Sequence, residues 1–136
     1  RNSTEELTYH KSLAYYNNIL GLRKIRENGA FEGLLFNEKD ELTEGFISNF
    51  FFTKKGKIYT PKVSSGLLEG TMREWLLEEF SIKERTIKKE ELENFDGVFL
   101  TNSLIGAHWV ESIGSKKYKR TEEIHEIIKF LEKLGY

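Results

Sequence analysis

Two short segments rich in strand-forming residues, Asn49-Phe-Phe-Phe-Thr-Lys54 and Lys57-Ile-Tyr-Thr-Pro61, are separated by Lys55-Gly56 alone. That spacing predicts a hairpin, and the hairpin constrains the fold more than any other feature of the chain. Directly before it lies Leu42-Thr-Glu-Gly-Phe-Ile-Ser-Asn49, where Glu44 stands between apolar runs. Burying a carboxylate without a partner is costly. Glu44 is therefore either a turn-surface residue, like Glu38 or Glu41, or it has a partner.

Around the hairpin the pattern alternates without a strict βαβ repeat. Ser12 to Asn28 places Leu13, Tyr16, Ile19 or Leu20, Arg23 and Ile25 at helical spacing and stops at Asn28-Gly29. Phe31-Glu-Gly-Leu-Leu-Phe-Asn37 reads as a strand and the following NEKDE as a turn. Met72, Trp75, Leu76 and Phe80 line one face of a helix entered through Gly70. IKERTI (82–87), DGVFLTNS (96–103) and HWVESIG (108–114) read as strands, and KKEELENF as a charged helical turn. A last helix carries Ile124, Ile127, Ile128 and Leu131, with Thr121 as its cap and a glycine stop. The fold class expected is α/β (or α+β), a mixed sheet or pseudo-barrel with flanking helices, in one domain.

Composition narrows the function classes. With 136 residues there is material for one core. Charged residues form 32% of the chain and nearly cancel to −1, so neither nucleic acid nor membrane is expected as a partner. The KKGK and KKYKR clusters read as solvated turn charges. There is no cysteine, hence no thiolate chemistry and no disulfide frame. His10, His108 and His125 are too scattered for a metal site. No apolar run is long enough to span a membrane, and the cytoplasm is the expected setting.

Chemistry-bearing residues gather where extended segments end in turns of Gly, Ser, Thr and Asn: YHKSLAYYNN, LTEGFISN, GLLEGTMR and FLTNSLIG. A helix start offers unpaired amides and a positive dipole end to an anion. In GLLEGTMR, Gly70 permits close backbone approach and Thr71 adds a hydroxyl; Asn102 and Ser103 of TNS could complete an anion cradle. Each motif alone is an ordinary turn.

Taken in order, HKS, TEG..SN, YTP, GLLEGTMR and the NSL turn resemble the C-terminal, cofactor-holding domain of the class IV aminotransferase family, the fold type IV pyridoxal-phosphate enzymes. The resemblance covers residues 8–113. It implies pyridoxal 5'-phosphate as cofactor, a small-molecule substrate and a homodimer. It assigns Lys11 as the lysine that binds the cofactor covalently and serves as catalytic base, and Glu44 as the carboxylate that keeps the pyridine nitrogen protonated. Ser48 and Asn49 fall on a turn around the cofactor, and Leu68 against the face of its ring. Thr71 and Met72 fall where helix-start amides meet the phosphate, and Asn102 and Ser103 where a strand-end turn does the same. Tyr16 matches a tyrosine near the ring hydroxyl and equally suits a core-facing helix position. Arg73 fits the family's GxxR position, as a ligand or as a brace.

GLLEGTMREWLL and FLTNSLIG look most like the 4-amino-4-deoxychorismate lyase branch, which releases pyruvate to give 4-aminobenzoate, a folate precursor. The alternative within the family is a branched-chain or D-amino acid aminotransferase, acting on an amino acid and a keto acid. A third reading is a non-catalytic remnant whose exposed aromatics, Trp109 and the Phe50–Phe52 run, form an interface. Relatives carry a smaller N-terminal domain before the lysine, and only about ten residues precede Lys11 here. The chain is therefore expected to be a fragment or domain lacking that smaller part.

Overall fold

The hairpin forms as its spacing predicts. In a computed structural model, which describes residues 23–24, 26–27, 32–45, 48–62, 71–102 and 105–136, strand β3 (Asn49–Lys54) pairs antiparallel with β4 (Lys57–Pro61). Lys54 faces Lys57, leaving Lys55 and Gly56 as a two-residue turn with φ of 50° and 79°. Two positive φ values mark the turn whose twist matches that of the flanking strands. The Asp96 carboxylate accepts a 2.9 Å bond from the Lys55 amide and so holds the less favoured of the two positions.

β3 is the centre of a five-stranded sheet, order β5-β4-β3-β6-β7, formed with β5 (Ile82–Arg85), β6 (Gly97–Asn102) and β7 (Gly106–Trp109). β4 and β5 are parallel and every other neighbouring pair is antiparallel. The crossover from β4 to β5 contains helix α1 (Thr71–Glu79), and helix α2 (Glu122–Lys133) closes the chain. The mixed α/β class is thus the observed one.

Both faces of the sheet are covered, which explains three consecutive phenylalanines. Phe51 and Phe99 pack with Met72 and Leu76 of α1 and with Ile124, Ile127 and Leu131 of α2. Phe50, Phe52, Val98 and Leu100 point the other way, onto Leu42, Ile87, Leu92, Phe95 and Tyr118. Side chains alternate along a strand, so a central strand buried on both sides reads as a continuous apolar run. This corrects the expectation that Phe50–Phe52 are exposed interface residues: each is at most 3% exposed.

The second face is capped by a small antiparallel ribbon of β1 (Leu34–Phe36) and β2 (Leu42–Gly45), and by a 3₁₀ helix, Lys89–Asn94. The ribbon's turn is organised by Asn37, whose Oδ1 accepts from the amides of Lys39 (2.9 Å) and Glu41 (3.1 Å). Of the helix expected over 12–28, Arg23, Lys24, Arg26 and Glu27 are described, and all four are helical and exposed.

Two expectations change in detail. HWVESIG is not one strand: β7 starts earlier, at Gly106, and ends at Trp109, while Ser112–Ile113 (β8) turns at Gly114 and pairs with Lys116–Lys117 (β9). Gly114 has φ of 58°, which sends the chain into that separate ribbon. Thr121 precedes α2, but its hydroxyl does not cap the helix; it lies 3.0 Å from the Thr53 hydroxyl of β3. The glycine stop holds: Gly135 (φ 99°) lets the amides of Gly135 and Tyr136 reach back to the carbonyls of Glu132 and Leu131.

Candidate functional site

Strand direction brings the predicted residues of β2, β3 and β6 that are described to one end of the sheet. β3 is antiparallel to both β4 and β6, so the start of β3 lies beside the ends of its two neighbours. Asn49 faces Thr101, and Phe50 faces Leu100. β2 arrives at the same corner, because the Gly45 amide donates to the Ser48 carbonyl at 2.6 Å. The first turn of α1 is held there too, since Arg73 Nη2 donates to the Pro61 carbonyl, the last of β4, at 3.0 Å.

Glu44 is buried, 5% exposed, on β2 opposite Leu35. It is therefore not a surface carboxylate like Glu38, which is exposed. Glu44, Asn49 and Asn102 each have an interaction partner; for Asn102 one is the Ile105 amide, 2.9 Å from its Oδ1. Gly45 is required beside Glu44: a Cβ there would sit 2.7 Å from the Phe50 ring and 2.9 Å from the Glu32 carboxylate.

Ser48 and Asn49 are buried at the start of β3. Thr71 is exposed at the start of α1, and the Met72 side chain enters the helix-side core. Lys11, Tyr16, Leu68 and Ser103, and with them His10, lie outside the described residues. Among the described residues no cluster of His, Asp and Glu could hold a metal ion, and no helix is long and apolar enough to cross a membrane.

The corner also contains a residue that sequence reasoning passed over. Thr101 is fully buried, and neither its hydroxyl nor that of Ser48 has a hydrogen-bond partner. Buried hydroxyls are nearly always paired, and an unpaired one costs about 1–3 kcal/mol. The two lie at this corner, Ser48 beside Asn49 in sequence and Thr101 facing it across the ladder. The signal was available: in VFLT, Thr101 follows Phe99 at the strand period and so takes an inward position.

Arg73 resolves as a brace. It is fully buried. Its Nη2 also contacts Glu84 Oε1 of β5 at 2.6 Å, and its Nη1 contacts Glu74 Oε1 at 2.7 Å.

Residues 1–113 match the model of the family described as amino-transferase class IV. The chain is 33% identical over 110 residues to an aminodeoxychorismate lyase of Bacillus subtilis, which covers 77% of this chain and 38% of that one. It is 31% identical over 129 residues to a candidate branched-chain-amino-acid aminotransferase of Rickettsia felis, covering 90% of this chain and 44% of the relative. A crystal structure of a candidate 4-amino-4-deoxychorismate lyase from Legionella pneumophila superposes with a TM-score of 0.88 at 31% identity, over 98% of this chain and 52% of that protein. The chain belongs to the class IV aminotransferase family, whose enzymes depend on pyridoxal phosphate. It spans about half or less of the length of these relatives.

Proposed function

We propose that the chain is the cofactor-holding domain of a pyridoxal-phosphate-dependent 4-amino-4-deoxychorismate lyase, working as a homodimer. The observation that carries this is Glu44, a carboxylate buried in a short strand at the corner where β2 reaches the start of β3 and the end of β6. The donor set suits the cofactor: a buried carboxylate for a ring N–H, uncommitted hydroxyls on Ser48 and Thr101, and a helix start for a dianion.

Bound pyridoxal phosphate supplies an electron sink for the electrons left when a proton departs from the substrate. Glu44 would keep the pyridine nitrogen protonated, which would deepen that sink. By the family resemblance, Leu68 would serve the ring face, Tyr16 the ring hydroxyl, and Ser48 and Asn49 the turn around the ring. The amides of Thr71 and Met72, with Asn102 and Ser103, would hold the phosphate. Lys11 Nζ would be the covalent anchor of the cofactor, and as a free amine it would be the base that receives the ring C–H proton of the substrate. The electrons of that bond aromatise the ring as the C–O bond to the pyruvyl group breaks. Pyruvate leaves as its enol and takes a proton on carbon.

An amino acid aminotransferase would use the same Lys11 and Glu44, and the likeness to the Rickettsia felis relative favours it as the second reading. The test has two parts. Borohydride reduction of the chain with pyridoxal phosphate, followed by peptide mass spectrometry, should label Lys11 and lose that label in Lys11→Ala. Supplied with 4-amino-4-deoxychorismate, the protein should release pyruvate and 4-aminobenzoate in equal amounts. A keto acid and a new amino acid from an amino-acid mixture would establish the aminotransferase instead. An unlabelled Lys11 would remove both and leave a non-catalytic domain.

A further inference from the structure

We propose that Arg73 is a positioning residue for the cofactor cradle, acting by fixing the first turn of α1 against the ends of β4 and β5; this rests on the pyridoxal-phosphate reading above. β4 ends at Pro61 and α1 begins at Thr71. Arg73, in the first turn of α1, donates to the Pro61 carbonyl at 3.0 Å and so ties the helix start to the strand end, across twelve residues of sequence. The same Nη2 contacts Glu84 at 2.6 Å on β5, the strand parallel to β4. Directly before Arg73 stand the Thr71 and Met72 amides, assigned to the phosphate.

A fully buried guanidinium is a poor choice for stability alone. Taking the cation out of water is expensive, and an apolar side chain of similar volume commonly does as well or better. Its planar fork, however, fixes several partners in one geometry, which a lysine or methionine cannot do. The carboxylates of Glu84 and Glu74 remain 44% and 47% exposed. Replacing Arg73 therefore strands no buried charge; what it removes is the fixed angle between α1 and the end of β4. A helix-start anion site depends on that angle, because its amides must point at the phosphate.

Arg73→Lys and Arg73→Met are compared with the wild type in three measurements. These are the dissociation constant for pyridoxal phosphate, the ³¹P chemical shift of the bound phosphate, and the thermal midpoint without cofactor. Both variants should bind about tenfold more weakly, the loss expected when a residue that orients a ligand-holding group is removed. Their ³¹P signals should move toward that of free pyridoxal phosphate, while the cofactor-free midpoint stays near wild type. If the Arg73 variants do not fold, Glu84→Gln keeps the Pro61 contact and weakens only the ion pair; it should show the same shift direction and a loss of about threefold. Unchanged affinity and unchanged ³¹P shift in variants of a wild type that does bind would overturn the proposal. A wild type whose Lys11 is never labelled by pyridoxal phosphate would overturn the underlying reading, and this inference with it.

Discussion

The β3–β6 ladder behaves differently at its middle and at its end. At the middle, Phe51 and Phe99 face each other in register and stack at 4.7 Å with rings 7° from parallel, sealed under both helices. At the end, two residues on, Asn49 faces Thr101, and two hydroxyls are buried without partners. The same two strands serve both, in the same register. Stability is concentrated where every group is matched, and ligand chemistry belongs where groups are buried and unmatched, because a binding site must keep polar capacity uncommitted until its ligand arrives.

The largest effect should come from breaking the middle. Phe51→Ala removes a fully buried ring from the helix-side core, and losses of this type run to about 3–5 kcal/mol. Urea unfolding should show a midpoint shift of that size, with the slope of the transition unchanged. A loss under one kcal/mol would mean that the helix-side layer is not the main source of stability.

Gly97→Ala should come next. A Cβ there would lie 2.7 Å from the Thr53 hydroxyl, 2.8 Å from Ile124 Cδ1 and 2.8 Å from the Lys119 carbonyl oxygen. A backbone oxygen cannot swing aside, so the cost should be roughly 1–3 kcal/mol. Chemical denaturation reads it, and thermal aggregation should begin at a lower temperature.

Two threonines on the same face of the ladder sharpen the contrast through opposite signs. Thr53 is fully buried and satisfied by Thr121 at 3.0 Å. Thr53→Val strands the Thr121 hydroxyl and should destabilise by about 1 kcal/mol. Thr101→Val deletes a buried hydroxyl that has no partner, so the cofactor-free protein should be unchanged or more stable by up to about 1 kcal/mol. Its affinity for pyridoxal phosphate should fall. Equal destabilisation by the two valines would show that Thr101 is ordinary core and not held in reserve.

What the sequence disclosed follows the same division. The hairpin was legible because Lys55-Gly56 is local turn chemistry, and α2 because its apolar residues keep a strict helical period. The burial of Phe50–Phe52 was not, since a run buried on both faces carries no alternation from which to read a side. Nor was the split of HWVESIG, which depends on β7 finding β6 and on a left-handed Gly114. Glu44 was legible as an oddity, and the role proposed for it came only through the order of motifs. Arg73 was visible but ambiguous: its partners Pro61 and Glu84 lie 12 and 11 residues away, and only the parallel pairing of β4 with β5 brings them together.

The smallest expected effect concerns a third buried hydroxyl, one that is satisfied. Tyr118, 5% exposed in the layer opposite the helices, donates to the Leu92 carbonyl at 2.7 Å. Burial raises its pKa above the usual tyrosine value, and the neighbouring Glu93 carboxylate raises it further. The folded state therefore keeps its proton at a pH where the unfolded chain, titrating near 10, has begun to release it. The contribution is fully present below about pH 10 and is lost as pH rises through the folded-state value, because the unfolded state then binds fewer protons than the native one. Tyr118→Phe should lose about 1 kcal/mol at neutral pH with the hydrogen bond, and its stability should fall less steeply than that of the wild type above pH 10. Parallel stability curves for the two proteins between pH 9 and 11 would show that Tyr118 is not the group responsible. Diverging curves, with the wild type losing more, would identify a hydroxyl that is matched in the fold and so titrates against it, in contrast to the unmatched hydroxyl of Thr101.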